Sequence, residues 1–168
     1  MSEIPPLLAS PLPRMIRIAR IDGWSIFGVA FLFGVISIWQ GELTGAVGGI
    51  IAAAAGAVEV YGARQLSLRK IEGLGWLVAS QLGLLTAIDC YCAWKLTHPA
   101  IGALKASLPG FVGELVASSG QSLDELLRLV YPLTYVTLAI VSLFYQGGMA
   151  FYYLRKSKTL SAEFEPSE

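Results

Sequence analysis

Two carboxylates stand where carboxylates are costly: Glu59 and Asp89 each fall inside a long apolar run of the chain. An ionisable side chain within a bilayer is expensive enough to be read first as an ion or proton site. Gln81 and Gln146 lie nearer the middle of their runs, where buried amides bridge helices by hydrogen bonds. Gln81 precedes Asp89 by eight residues, about two helical turns, so the two share a face. Glu59, Gln81, Asp89 and Gln146 therefore form a candidate intramembrane polar site, and its chemistry would be proton or cation coupling. Each carboxylate also has a plainer role. Glu59 is little more than a turn from Arg64 and can pair with it, and Asp89 can accept a hydrogen bond from Thr134 or Thr137 of a neighbouring helix.

Other chemistry finds few reactive groups. His98 is the one histidine and lies on a flank, which does not suit paired-histidine haem ligation or a Ser/His/Asp site within the spans. Cys90 and Cys92, at i and i+2 on a helix, point to opposite sides and do not bridge. No Cys/His spacing suits a metal, and Met149 alone is core filling rather than a soft ligand. The expectation is no catalytic residue, no cofactor and no metal, in a protein that is not an enzyme. Lys plus Arg and Asp plus Glu are each 12, so no basic excess points to nucleic acid.

The elements that would carry the polar residues are membrane helices. Of 168 residues, 55% are apolar and 14% charged, against about 25% charged in an average soluble domain. The densest signal runs from Gly41 to Arg64, where Gly41, Gly45, Gly49, Ala53 and Ala57 recur every fourth residue and Gly48, Ala52 and Gly56 lie beside them. Such a stripe gives a helix a knobless face on which another helix can lie almost backbone to backbone. Gly28, Ala30, Gly34 and Ser37 of the preceding run supply small residues to receive it.

Four apolar runs predict an all-α, polytopic membrane protein: a four-helix transmembrane bundle with spans near 23–40, 43–63, 74–95 and 129–153, within a domain over 14–158. Residues 1–13, with four prolines, and 159–168 read as flexible tails. Arg14, Arg17 and Arg20, interleaved with apolar residues, suggest a short basic helix lying on the headgroups. The first run is not a cleavable signal, because tryptophans bound it and a second apolar segment follows at once. Residues 97–121 form an outer interfacial segment, split by Pro109-Gly110 into two short amphipathic helices. Ser122 and Glu125 have the spacing of a capping box that opens the last helix, in which Pro132 predicts a kink.

Basic residues set the orientation. Arg14, Arg17, Arg20, Arg64, Arg69, Lys70, Arg155, Lys156 and Lys158 flank one side, against Lys95, Lys105 and Arg128 on the other. Both termini are therefore expected in the cytoplasm, with the chain in a multi-pass membrane setting, a bacterial inner membrane, and with Tyr152 and Tyr153 in the inner aromatic belt and Tyr131 in the outer one. The first functional expectation is a structural or accessory subunit that associates, with itself or a larger membrane partner, through the Gly/Ala face. The alternative is a small proton- or cation-coupled transporter or channel that uses Asp89 and Glu59.

Overall fold

The computed structural model describes residues 12–164. Of the expected tails, residues 1–11 and 165–168 fall outside the described residues. Among the latter, six helices follow one another: α1 (Leu12–Trp39), α2 (Leu43–Ser67), α3 (Gly73–Thr97), α4 (Ile101–Ser107), α5 (Gly110–Ser118) and α6 (Leu123–Phe164). Four of them, α1, α2, α3 and most of α6, are long and apolar enough to cross a membrane. The protein is a multi-pass membrane bundle with two short extra helices. Val29, Ile38, Ile50, Phe144 and Phe151 point outward, which in hydrocarbon carries no penalty.

The helices pack in sequence, α1 on α2, α2 on α3 and α3 on α6, while α1 and α6 stand apart along most of their length. The antiparallel order brings the N-terminus of α1, the C-terminus of α2, the start of α3 and the C-terminal part of α6 to one end. We call this the terminal end. Its core is Met15, Ala19, Ala63, Leu66, Leu74, Leu77, Tyr153 and Leu160. The far end holds the α1–α2 turn and α4–α5.

Three expectations need correction. The basic segment is no separate interfacial helix: α1 runs unbroken from Leu12, with Arg14, Arg17 and Arg20 exposed and Met15, Ala19 and Asp22 buried. Steps of four and three put those last three on one face, so the first turns of α1 are an amphipathic part of the bundle. At the other end of the chain, α6 starts at Leu123, directly after Ser122 as expected, contains Pro132 and runs to Phe164, so 159–164 continue the helix where a tail was expected. Its 42 residues span roughly 63 Å, about twice a hydrocarbon core. Finally, Tyr153 and Tyr131 are buried inside the bundle rather than seated in an aromatic belt.

Glycine governs the α1–α2 seam. A Cβ added to Gly49 would sit 2.6 Å from the Gly34 Cα, and one on Gly56 would sit 2.7 Å from the Gly23 carbonyl oxygen. The backbones thus touch at two levels. Gly45 and Ala53 are buried as well, whereas Ala57 faces outward and Gly41 lies in the turn before α2 at φ 71. Residues at exact steps of four drift around a helix with 3.6 residues per turn, which is why the seam runs 45, 49, 56 rather than 49, 53, 57. A second close approach, between Gly62 and Gly73, joins α2 to α3.

Candidate functional site: a buried carboxylate cluster beneath a cavity

One turn into the bundle from the terminal-end core, all four long helices contribute polar side chains to a single cluster. Glu59 of α2 is 1% exposed, Gln81 of α3 0% and Asp22 of α1 9%. The Tyr153 hydroxyl of α6 donates to the Glu59 Oε1 at 3.0 Å. The Tyr145 hydroxyl donates to the Asp22 Oδ1 at 2.7 Å, and the Gln81 amide nitrogen donates to the Asp22 Oδ2 at 3.1 Å. The Asp22 carboxyl and the Gln81 side chain also lie beside Glu59. Helix geometry explains the convergence: Asp22 continues the buried face of Met15 and Ala19, and Glu59 continues that of Ala53 and Gly56.

Among the described residues the donors to these carboxylates are the neutral Tyr145, Tyr153 and Gln81. Among the described residues the ion pairs are Lys95–Glu42 and Lys105–Asp124, both at the far end, so no lysine or arginine pairs with Asp22 or Glu59. Glu59 turns to Tyr153 and not to Arg64, which is exposed. Gln81 Oε1, Gln146 Oε1 and Ser142 Oγ are buried without a hydrogen-bond partner. Burying an acceptor in this way ordinarily costs about 1–3 kcal/mol.

Above the cluster, toward the far end, lies a cavity of about 620 Å³. Ser25, Ile26, Val29 and Phe33 of α1, Gly48, Gly49 and Ala52 of α2, Leu84, Ile88 and Tyr91 of α3, and Tyr135, Leu138 and Gln146 of α6 line it. Ser25 and Ile26 are one turn above Asp22, and Leu84 is one turn above Gln81. At the cavity's far end the rings of Phe33, Tyr91, Tyr135 and Tyr131 form a chain of edge-on and tilted contacts, with centroids 6.3, 6.0 and 4.9 Å apart in that order. Lys95, paired with Glu42, lies 5.5 Å from the centre of the Tyr91 ring, and the Tyr131 hydroxyl donates to the Lys95 carbonyl at 3.3 Å.

Comparison with protein-family models, with curated proteins and with solved structures gives no match.

Of the residues singled out in the sequence, Glu59 and Gln81 come together, and Gln146 borders the cavity. Asp89 does not join them. It sits two turns along α3 from Gln81, half-buried, with its Oδ1 unpartnered, and the Thr134 hydroxyl donates to the Val130 carbonyl instead of reaching it. Asp22, Tyr145 and Tyr153 escaped the sequence reading. Asp22 follows three arginines and precedes Trp24, so it looks like a charged flank, yet it lies two residues, about 200° round the helix, from Arg20. The signal that finds it is its spacing from Met15 and Ala19. His98 is the C-cap of α3 and stacks on Trp94 at 3.9 Å. Cys90 is exposed and Cys92 buried, both as free thiols. Among the described residues no group of His, Cys, Asp and Glu is placed to hold a metal ion.

Proposed function

We propose that the protein is a small proton-coupled transporter whose proton site is the Asp22–Glu59 pair, with both termini in the cytoplasm. In this reading it binds and translocates and makes no covalent bond. One observation carries it: two buried carboxyl groups stand side by side within a membrane bundle, and the described side chains that hold them are tyrosines and an amide. A single charge in a span costs about 3 kcal/mol, and a second like charge beside it adds repulsion. A proton shared by the pair removes that cost, and a bound cation can take its place. The pair lies on the side of the basic flanks, the cavity beyond it is walled by apolar and aromatic side chains, and the aromatic chain with the Glu42–Lys95 pair lies at the other end. Binding cavity, proton site and a barrier on either side are the parts that alternating access needs.

The accessory-subunit reading has less support. It needs the Gly/Ala face of α2 to be free for another protein, and Gly45, Gly49 and Gly56 lie against α1 of the same chain.

The test is infrared difference spectroscopy of the protein in nanodiscs across a pH titration. The parent should show a protonated-carboxyl stretch band that is lost in Asp22→Asn/Glu59→Gln and kept in Asp89→Asn. An identical band in the double variant would refute the assignment.

A further inference from the structure

Both α1 and α6 line the cavity yet scarcely pack against each other, which leaves a gap between them on that side, and the Asp22–Tyr145 hydrogen bond crosses between them below it. A molecule dissolved in the bilayer can reach the cavity through this gap without crossing water. The walls are apolar, and the volume falls in the range of small-molecule sites, about 300–1,000 Å³. Apolar bulk is therefore one requirement on an occupant.

The polar groups set the others. Gln146 borders the cavity and is 6% exposed, and its side-chain oxygen has no partner. Gln81 Oε1, one turn below the cavity, is likewise an acceptor without a donor. An occupant with N–H or O–H groups would supply the donor that the Gln146 oxygen lacks, by a turn of a side chain that borders the cavity. Charge chooses between those two: the ionisable groups below the cavity are the carboxylates Asp22 and Glu59, and the nearby cation, Lys95, is already paired with Glu42. Tyr135 adds to the wall an aromatic ring, a group that attracts cations. A lipid tail would fill the walls and leave the acceptors bare, and an anion would meet two carboxylates.

We infer that this cavity binds a lipophilic cation bearing N–H donors, an amine or amidine with aromatic or aliphatic bulk, admitted from the bilayer between α1 and α6. The inference rests on the proton-site reading only for the charge of the occupant. In the exchange that follows, one cation enters as one proton leaves the carboxyl pair, so charge is conserved.

Ethidium, a planar cation with two aromatic amino groups, is the probe. With the protein in phosphatidylcholine nanodiscs, its fluorescence anisotropy should rise saturably above that of empty discs. Ala52→Trp, which fills the cavity, and Gln146→Leu, which keeps its shape and removes the acceptor, should each weaken binding about tenfold or more, with parental circular dichroism showing that the variants fold. No saturable binding to the parent, or equal affinity in both folded variants, overturns the inference. Proton release measured in weak buffer during the same titration separates the two readings. Binding with no proton released supports the cation cavity and counts against the Asp22–Glu59 proton site, whereas a titrating carboxyl band without ethidium binding supports the proton site and overturns the cavity assignment.

Discussion

A methyl group added to one side of the α1–α2 seam should matter, and the same group added to the other side should not. At Gly49 the new Cβ would lie 2.6 Å from the Gly34 Cα, 2.7 Å from the Gly34 nitrogen and 2.9 Å from the Ala30 carbonyl oxygen. All three are backbone atoms and cannot swing away. Carbon atoms rest at about 3.5–4.0 Å, so the two helices must part by about 1 Å. A gap of that size forfeits a quarter to a half of each lost contact, and the Gly23–Gly56 approach on the same seam is strained with it. At Gly34 the nearest atom to a new Cβ is the Gly49 Cα at 3.6 Å, an ordinary contact. The helix-propensity gain from Gly to Ala, up to about 1 kcal/mol, is common to both substitutions and cancels in the comparison. Overpacking typically costs about 1–3 kcal/mol, so Gly49→Ala should be less stable than Gly34→Ala by about 2 kcal/mol, roughly a 30-fold change in the folded-to-unfolded ratio. Reversible unfolding by dodecyl sulfate in mixed micelles, followed by circular dichroism, measures the difference. If the two variants unfold at the same detergent fraction, the backbone contact is not what sets the seam.

Three further outcomes are expected. Tyr153→Phe removes the hydroxyl that donates to Glu59 and should destabilise the fold by about 1–3 kcal/mol; Glu59→Leu in the same background should remove much of that loss, and a double-mutant cycle with no coupling would contradict the pairing. Cysteine introduced at Lys105 should react with an impermeant maleimide in intact cells and cysteine at Ser157 should not, whereas the opposite pattern would invert the orientation drawn from the basic flanks. Lys95→Met should leave Glu42 without its cation and loosen the far end, seen as faster amide exchange in the α1–α2 turn, while unchanged exchange there would show that the pair does not hold the turn to α3.

Hydrophobic run length and turn chemistry made the helices legible from the sequence. About twenty apolar residues in hydrocarbon have few options besides a helix, and Pro109-Gly110 divides α4 from α5 as expected because neither residue continues a helix well. The small-residue pattern of α2 likewise marked residues that the fold buries, Gly45, Gly49 and Ala53. Which glycine bears the contact was not legible: Gly49 admits no methyl and Gly34 does, because a one-dimensional spacing fixes the face of a helix but not its rotation or depth against a neighbour. The polar site divides in the same way. Glu59 and Gln81 stood out because charge and amide are rare in apolar runs. Asp22 did not, since a local reading sees a carboxylate among arginines at a helix end, and the fold alone carries that end into the bundle. Asp89 shows the converse, with the same local signal as Glu59 and no share in the cluster. Sequence by itself determined that the chain is a bundle of membrane helices with costly polar groups inside it. The tertiary structure decided which of those groups meet, because meeting depends on the rotation of four helices about their axes, which glycine contacts fix between α1 and α2 and between α2 and α3, and side-chain packing fixes for α6.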